Sequence, residues 1–365
     1  MQGCRHARRI VGVAAFTLAS LVLASPAAAA TTAQDVEDAI QGLVEAEDGP
    51  PGVISVIQRG GSRRVFRAGV ADTVSERPPR PRRAMRIASV SKAFSGAVAL
   101  RLAEQGVLDL GATIGEVLPD LPGAWHGVEL RQLLHHTSGL PDYTATPDFG
   151  PDLNASPQLA PPPIELLAYA EDLDLHFPPG SEYRYSNSDN IAVGLMVEAL
   201  TGAPYEDALA AKVFERFGLS RTSLSPGVLL DDPFFHGYGG GEDVSQLVAF
   251  GGWAWASGGI VSTPLDLTRF VRGYAPMRRG PFIDGKSEPA GPGANRAGLA
   301  IFRYDTRCGT VFGHTGSILG YTQLIAANRA GTRSVTFSIS TQYPAGLLRS
   351  LRRAQVDAVC FALGK

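Results

Sequence analysis

Ser89-Val90-Ser91-Lys92 opens the strongest helical run of the chain, Ser91 to Gln105, which is rich in alanine and leucine and stops at Gly106. Residues three apart share a helix face, so the spacing predicts that the Ser89 hydroxyl meets the Lys92 ammonium. A serine becomes a useful nucleophile only when a neighbouring base takes its proton. Lys92 serves as that base if burial or nearby positive potential favours its neutral form, and the helix N-terminus pushes in the same direction. The same terminus offers a free backbone N–H, half of an oxyanion hole. Serine and lysine at one spacing are a weak signal, and alone they read first as an N-cap followed by a solvated first-turn lysine.

Outward from this helix the chain reads in three blocks. Ala33 to Glu47 has Val36, Ile40, Leu43 and Val44 on one helical face, and Gly52 to Gln58 with Arg63 to Gly69 read as a strand pair turning at Gly60-Gly61. Helical segments follow at Leu130–His136, Ile164–Leu173, Asn190–Leu200 and Tyr205–Phe217, separated by long Pro/Gly stretches such as Asp142–Pro163 and Pro276–Gly298. Alternating runs return at Gly298–Tyr304, Thr310–Gly313, Tyr321–Asn328 and Ser334–Ser340, and Pro344–Leu363 reads as a closing helix. Strands early and late around a helical middle predict an α/β fold of discontinuous build. Residues 31–106 plus 291–365 form the α/β domain, and residues 107–290 form a helical insertion with long loops. A cleft between the two parts is the expected place for a site.

The ends of the chain bear on compartment. Arg5, Arg8 and Arg9 precede an apolar run from Ile10 to Leu23 and the small residues Ala28-Ala29-Ala30, so residues 1–30 read as a signal peptide cleaved near Ala30. The run is short for a membrane span, which predicts a secreted protein without a stable membrane anchor. Cys4 leaves with that leader, and Cys308 and Cys360 then pair most simply as a disulfide in an oxidising compartment. The chain of 365 residues is 44% hydrophobic and 19% charged, enough to bury a large core, and its net charge of −2 leaves no footprint for nucleic acid. Only Lys92, Lys212, Lys286 and Lys365 are lysines, so a reaction needing a lysine base has few candidates. The adjacent His135 and His136 point different ways and make no metal pair, and no Gly-x-Ser-x-Gly elbow occurs.

Two further stretches give Ser89 and Lys92 a context. Tyr185-Ser186-Asn187 falls in a turn between Pro178-Pro179-Gly180 and the helix from Asn190; a tyrosine beside an active lysine can shuttle a proton. Asn187 supplies an amide able to hold both the lysine and a substrate carbonyl. His314-Thr315-Gly316-Ser317 follows the short strand Thr310–Gly313, where a glycine lets substrate lie along the strand edge and the Ser317 N–H can complete an oxyanion hole. Ser-x-x-Lys, Tyr-x-Asn and His-Thr-Gly in this order resemble the serine penicillin-recognising enzymes, in particular the D-alanyl-D-alanine carboxypeptidase and class C β-lactamase group with its esterase relatives. Leu134-His135-His136-Thr137-Ser138-Gly139-Leu140-Pro141 and Ala256-Ser257-Gly258-Gly259-Ile260-Val261-Ser262-Thr263 extend the likeness, which runs from about Val53 to Phe361.

The resemblance implies a β-lactamase/penicillin-binding-protein-like fold, an antiparallel sheet flanked by helices with an inserted, mostly helical domain. It implies that Ser89 is the acylated nucleophile, that Lys92 and Tyr185 handle protons, and that Asn187 contacts substrate and lysine. His314, Thr315 and Gly316 line the strand side, the N–H groups of Ser89 and Ser317 face the oxyanion, and Trp253 walls the acyl-side pocket. It implies no metal and no cofactor, and a monomer whose ligands are peptidoglycan stem peptides or β-lactams. One departure matters: the usual third motif is Lys-Thr-Gly, and a histidine is largely neutral at pH 7. A substrate carboxylate then needs Thr315 and a nearby arginine, with Arg303 the first choice and Arg307 the second. The expected activity is an exported D-alanyl-D-alanine carboxypeptidase. A class C-like β-lactamase or an esterase shares the acylation chemistry, and a penicillin-sensing or wall-binding module is the non-catalytic alternative.

Overall fold

The computed structural model describes Met1 and residues 30–225, 227, 230, 233–277, 282–284 and 291–365. Residues 2–29 of the leader expected over residues 1–30, Cys4 included, and part of the loop expected at Pro276–Gly298 thus lie outside the described residues. The larger helices are α1 (Ala33–Val44), α2 (Ser91–Glu104), α3 (Leu130–His135), α4 (Asn187–Thr201), α5 (Pro264–Tyr274) and α6 (Leu348–Leu363). The main sheet comprises β1 (Gly52–Arg59), β2 (Ser62–Gly69), β3 (Ile283–Asp284), β4 (Ala294–Ala297), β5 (Phe302–Thr306), β6 (Gly309–Ile318), β7 (Tyr321–Ala327) and β8 (Arg333–Ile339). Its strands run in the order β2-β1-β8-β7-β6-β5-β4-β3 with every pair antiparallel. The early hairpin therefore docks against the last strand, closing the two ends of the chain into one sheet. This is the sheet-and-helices architecture that the sequence motifs imply.

Each face of the sheet buries its own core. On one side Val36, Ile40 and Leu43 of α1 meet Val53, Ile57, Leu324 and Phe337 of the sheet and Leu351 and Val359 of α6. On the other side lies α2, whose residues Ser91 to Leu100 are all buried, so its Ala/Leu run is apolar all round rather than striped. Gly96 lets this helix approach its neighbours: a Cβ there would stand 2.4 Å from Ala300 Cβ and 2.4 Å from Tyr274 Oη. Phe94 stacks on Phe270 of α5 at 3.8 Å between ring centroids.

The expected domain boundary needs correcting. Helix α5 and strand β3 both lie within residues 107–290, yet α5 packs on β1, β7 and β8 and β3 pairs with β4. The α5 carbonyl of Pro264 accepts the Thr336 hydroxyl, and Arg272 Nε donates to the Gly331 carbonyl at 3.0 Å. The helical insertion thus ends before Pro264. Local details shift too. The stretch Asp142–Pro163 holds a helix at Phe149–Ala155, β6 runs on through Ile318, and α4 starts at Asn187 with Ser186 as its N-cap residue. His314 to Ser317 therefore sit within a strand, and Asn187 in the first turn of a helix. Among the described residues no helix is long and apolar enough to cross a membrane.

Candidate active site

Ser89 sits on a single 3₁₀ turn, Ala88–Val90, that feeds α2. The residue before it, Ala88, has φ of 52°, a left-handed conformation that costs a non-glycine residue of order 1–3 kcal/mol and is found where a side chain must be aimed. One turn on, Lys92 is fully buried, and its Nζ donates to Ser89 Oγ at 3.2 Å, to Asn187 Oδ1 at 2.7 Å and to the Ser257 carbonyl at 2.7 Å. All three acceptors are neutral oxygens. As the free amine, Lys92 keeps two N–H bonds for Asn187 and Ser257 and turns its lone pair to the Ser89 hydroxyl, so the same geometry serves proton acceptance. The Tyr185 ring covers Nζ with its centroid 4.9 Å away.

Asn187 is oriented from behind by a carboxylate. Its Nδ2 donates to Asp142 Oδ2 at 3.0 Å and to Thr144 Oγ1 at 3.2 Å, and its backbone N–H donates to Asp142 Oδ2 at 3.1 Å. With the N–H₂ end so held, the carbonyl end must face Lys92. Asp142 also caps the Tyr143–Ala145 turn by accepting the Thr144 N–H at 3.0 Å. Neither Asp142 nor Ser257 was singled out from spacing. Their only signals were that Asp142 directly follows the run Leu134–Pro141 and that Ser257 falls within Ala256–Thr263.

Strand β6 supplies the opposite wall. Gly316 passes so near the nucleophile turn that a Cβ on it would stand 2.5 Å from the Ile87 carbonyl oxygen and 3.0 Å from the Ser89 backbone nitrogen. The next residue, Ser317, is exposed into the cavity, while Thr315 is buried. His314 is fully buried, and its Nδ1 donates to the Thr315 carbonyl at 2.5 Å. Burial pushes the His314 pKa down to about 3; Lys92 and His136 add to this and the bond to Thr315 opposes it. The imidazole is thus neutral at pH 7 and supplies no charge to a ligand.

Over Ser89 opens a cavity of about 600 Å³ whose lining includes Tyr185, Asn187, Ser257 and Ser317. Its other walls are mainly apolar, with Phe149, Leu153, Leu247, Phe250, Trp253 and Leu319, and include the uncharged polar side chains of Thr144, Asn154 and Gln342. Trp253 is held edge-on to Phe149 at 5.7 Å, with its Nε1 donating to the Ser156 carbonyl at 3.2 Å. Among the described residues that line this cavity, none is Asp, Glu, Lys, Arg or His.

Most of the predicted site converges here. Ser89, Tyr185, Asn187, Trp253 and Ser317 line the cavity, Lys92 lies beneath it, and His314, Thr315 and Gly316 lead along β6 to its rim. The arginines do not follow. Arg303 is bonded through Nε and Nη2 to Asp305 Oδ1 at 3.0 and 2.9 Å, and Arg307 pairs with Asp357 of α6 at 2.5 Å. Neither lines the cavity. Cys308 and Cys360 are joined in a disulfide with Cα atoms 5.2 Å apart, tying the β5–β6 turn to α6.

Known proteins of similar sequence and fold accompany this geometry. "Penicillin-binding protein 4*" of Bacillus subtilis is 29% identical over 175 residues, 47% of this chain and 38% of that protein. A "Beta-lactamase" of Providencia stuartii is 28% identical over 213 residues, 57% of this chain and 51% of that protein. The chain therefore spans well under two thirds of the length of these two curated relatives. Among solved structures, a D-stereospecific amidohydrolase from Streptomyces sp. superposes with a TM-score of 0.75 at 26% identity, covering 88% of this chain and 97% of that one. The family model described as Beta-lactamase matches residues 36–359, a span holding every residue of the cavity, and the chain belongs to the beta-lactamase family.

Proposed function

We propose that this protein transfers the acyl group of an uncharged amide or ester to Ser89 and then to water, with a bulky apolar group on the acyl side. The observation that carries the reading is the cavity itself, mainly apolar and without a charged side chain among its described lining residues. Lys92, as amine, takes the Ser89 proton while the hydroxyl oxygen attacks the carbonyl. The N–H groups of Ser89 and Ser317 receive the oxyanion, and Tyr185 returns the proton to the leaving amine or alcohol. Water then repeats the sequence on the acyl-enzyme. Asn187 holds Lys92 in place, its own N–H₂ being engaged by Asp142 and Thr144 rather than offered to the acyl group.

Carboxypeptidase action on D-Ala-D-Ala termini requires a partner for the terminal carboxylate. With Arg303 engaged by Asp305 and His314 neutral, an uncharged leaving group is the better match. The likeness to a D-stereospecific amidohydrolase supports amides of D-configured residues as the first substrates to try. The test compares kcat/KM for an N-acetyl-D-phenylalanine anilide, an aromatic p-nitrophenyl ester, a diacyl-Lys-D-Ala-D-Ala peptide and a cephalosporin. The anilide or aromatic ester should lead by roughly tenfold or more, the worth of one to two buried methylenes and an unpaired carboxylate. A lead for the D-Ala-D-Ala peptide restores the carboxypeptidase reading, and rapid cephalosporin turnover moves the assignment to β-lactamase.

We propose further that the protein is exported, on the strength of the basic and apolar leader and of the Cys308–Cys360 disulfide. N-terminal sequencing of the protein recovered from the culture medium should begin near Ala30; recovery only from the cytosol with the leader intact counts against export.

A further inference from the structure

Behind Tyr185 lies a buried cluster that the reaction above does not use. His136 ends α3 in the left-handed conformation, with φ of 58°, and is 2% exposed. Its carbonyl accepts the Arg184 N–H at 2.9 Å, and its ring lies 4.3 Å from the Tyr185 ring at a tilt of 33°. Nδ1 receives the Ser186 N–H at 3.4 Å and stands 2.7 Å from Asp189 Oδ2. Asp189, fully buried in the first turn of α4, accepts the Ser138 hydroxyl on Oδ1 at 2.5 Å. Ser138 Oγ also accepts the Leu140 N–H at 3.0 Å while its own hydrogen goes to Asp189 Oδ1.

These contacts assign the hydrogens. Oδ1 of Asp189 is an acceptor. Nδ1 of His136 faces the Ser186 N–H at 3.4 Å, which disfavours a second hydrogen on Nδ1; its one lone pair, shared with that distant donor, then takes the hydrogen of the 2.7 Å contact from Oδ2. We propose that Asp189 is held as the carboxylic acid, donating Oδ2–H to a neutral His136, and that this uncharged pair is the positioning device that sets Tyr185 and Asn187 against Lys92. The inference rests on the acyl-enzyme reading of the site. Burial points the same way for both partners, raising Asp189 well above the carboxylate range and pushing His136 down to about 3. The other groups facing the pair are Lys92 from α2, Asp142, Tyr183 and Tyr185 from the loops, and His314 from β6. Neutrality has a chemical use here. An anion at Asp189 would favour the ammonium form of Lys92, which cannot accept the Ser89 proton.

Asparagine reproduces the acid's pattern, with Nδ2–H toward His136 Nδ1 and Oδ1 toward Ser138. The experiment measures the rate at which a fluorophosphonate probe labels Ser89, which does not depend on the preferred substrate, and its pH profile. Asp189→Ala should slow labelling roughly thirtyfold to a hundredfold through misplacement of Tyr185 and Asn187, and Asp189→Asn should restore it to within about threefold with an unchanged acidic limb. His136→Phe, which keeps a ring beside Tyr185 but no Nδ1, should lower kcat with KM unchanged. Asp189→Asn as damaged as Asp189→Ala, or with its acidic limb moved, overturns the proposal in favour of an ionised aspartate. Should the variants not fold, ¹⁵N-histidine spectra of the unmodified protein decide it: an unprotonated Nδ1 at His136 supports the acid form, and a protonated Nδ1 overturns it. A wild-type Ser89 that takes no label counts against the acyl-enzyme reading, and the spectra still decide the protonation of the pair.

Discussion

Gly316 and the nucleophile turn are in contact at a distance only glycine allows, since a Cβ on Gly316 would stand 3.0 Å from the Ser89 nitrogen and 2.5 Å from the Ile87 carbonyl oxygen. The strand and the turn before α2 thus bring Ser89 and Ser317 to the same cavity. Gly316→Ala must push β6 away from Ser89. We expect kcat to fall roughly a hundredfold or more, the scale of losing one oxyanion donor, with the fold retained by circular dichroism. Near-normal kcat would show that these two N–H groups do not share the developing charge.

Lys92 is the buried amine against the nucleophile, and Lys92→Met keeps most of its volume while removing the proton acceptor. Acylation should drop by about a thousandfold or more, within the range of a lost general base. Asp142→Asn should act more mildly, by about tenfold in kcat, because it offers Asn187 an amide where a carboxylate fixed its orientation. Steady-state kinetics with stopped-flow acylation separates the two, and an Asp142→Asn loss as deep as that of Lys92→Met would give the carboxylate a direct part in the chemistry.

His314 gives the stability a predictable pH dependence. Its pKa is about 3 in the folded protein and near 6.5 in the unfolded chain. Above pH 6.5 both states carry the neutral ring and this contribution is complete. Between pH 6.5 and 3 the unfolded chain binds a proton that the folded one does not, so folding stability falls by about 1.4 kcal/mol for each pH unit. Urea unfolding at pH 7, 6, 5 and 4 should show a shallower decline in His314→Gln than in the native protein. An identical decline would mean that His314 is protonated in the folded state.

Much of this was legible before any coordinates, and the failures have physical causes. Ser89 and Lys92 meet because positions three apart share a face at the entry to a helix, and the glycine of His314-Thr315-Gly316 marks a close backbone approach. The partnership of Asn187 with Asp142 joins residues 45 apart, which no local spacing reveals. Arg303 failed as a carboxylate binder because Asp305, two residues along β5, shares its face and satisfies it. Helix α5 fell within residues 107–290, the expected insertion, because the sheet contacts it makes with β1, β7 and β8 join distant parts of the chain and leave no local mark.

Mid-helix Gly96 and the disulfide bear on stability. Gly96→Ala should destabilise by about 1–3 kcal/mol despite its better helix propensity, because its Cβ meets Ala300 and Tyr274 at 2.4 Å. Replacing Cys308 and Cys360 with serine should cost up to about 4 kcal/mol for a loop of 52 residues and leave kcat unchanged, since the bridge ties the β5–β6 turn to α6 and touches no cavity residue. Denaturant titration with parallel activity assays checks both; a stabilised Gly96→Ala would mean that α2 moves aside, and lost kcat in the double serine variant would link the bridge to the site.

The account stands on a covalent acyl group at Ser89. Intact-mass spectrometry after mixing with an aromatic p-nitrophenyl ester, quenched in acid within the first turnover, should show a single added acyl mass. Peptide mapping should place it on Ser89, and Ser89→Ala should show none. An adduct that persists in Ser89→Ala, or turnover of the ester by that variant at the native rate, would contradict the assignment.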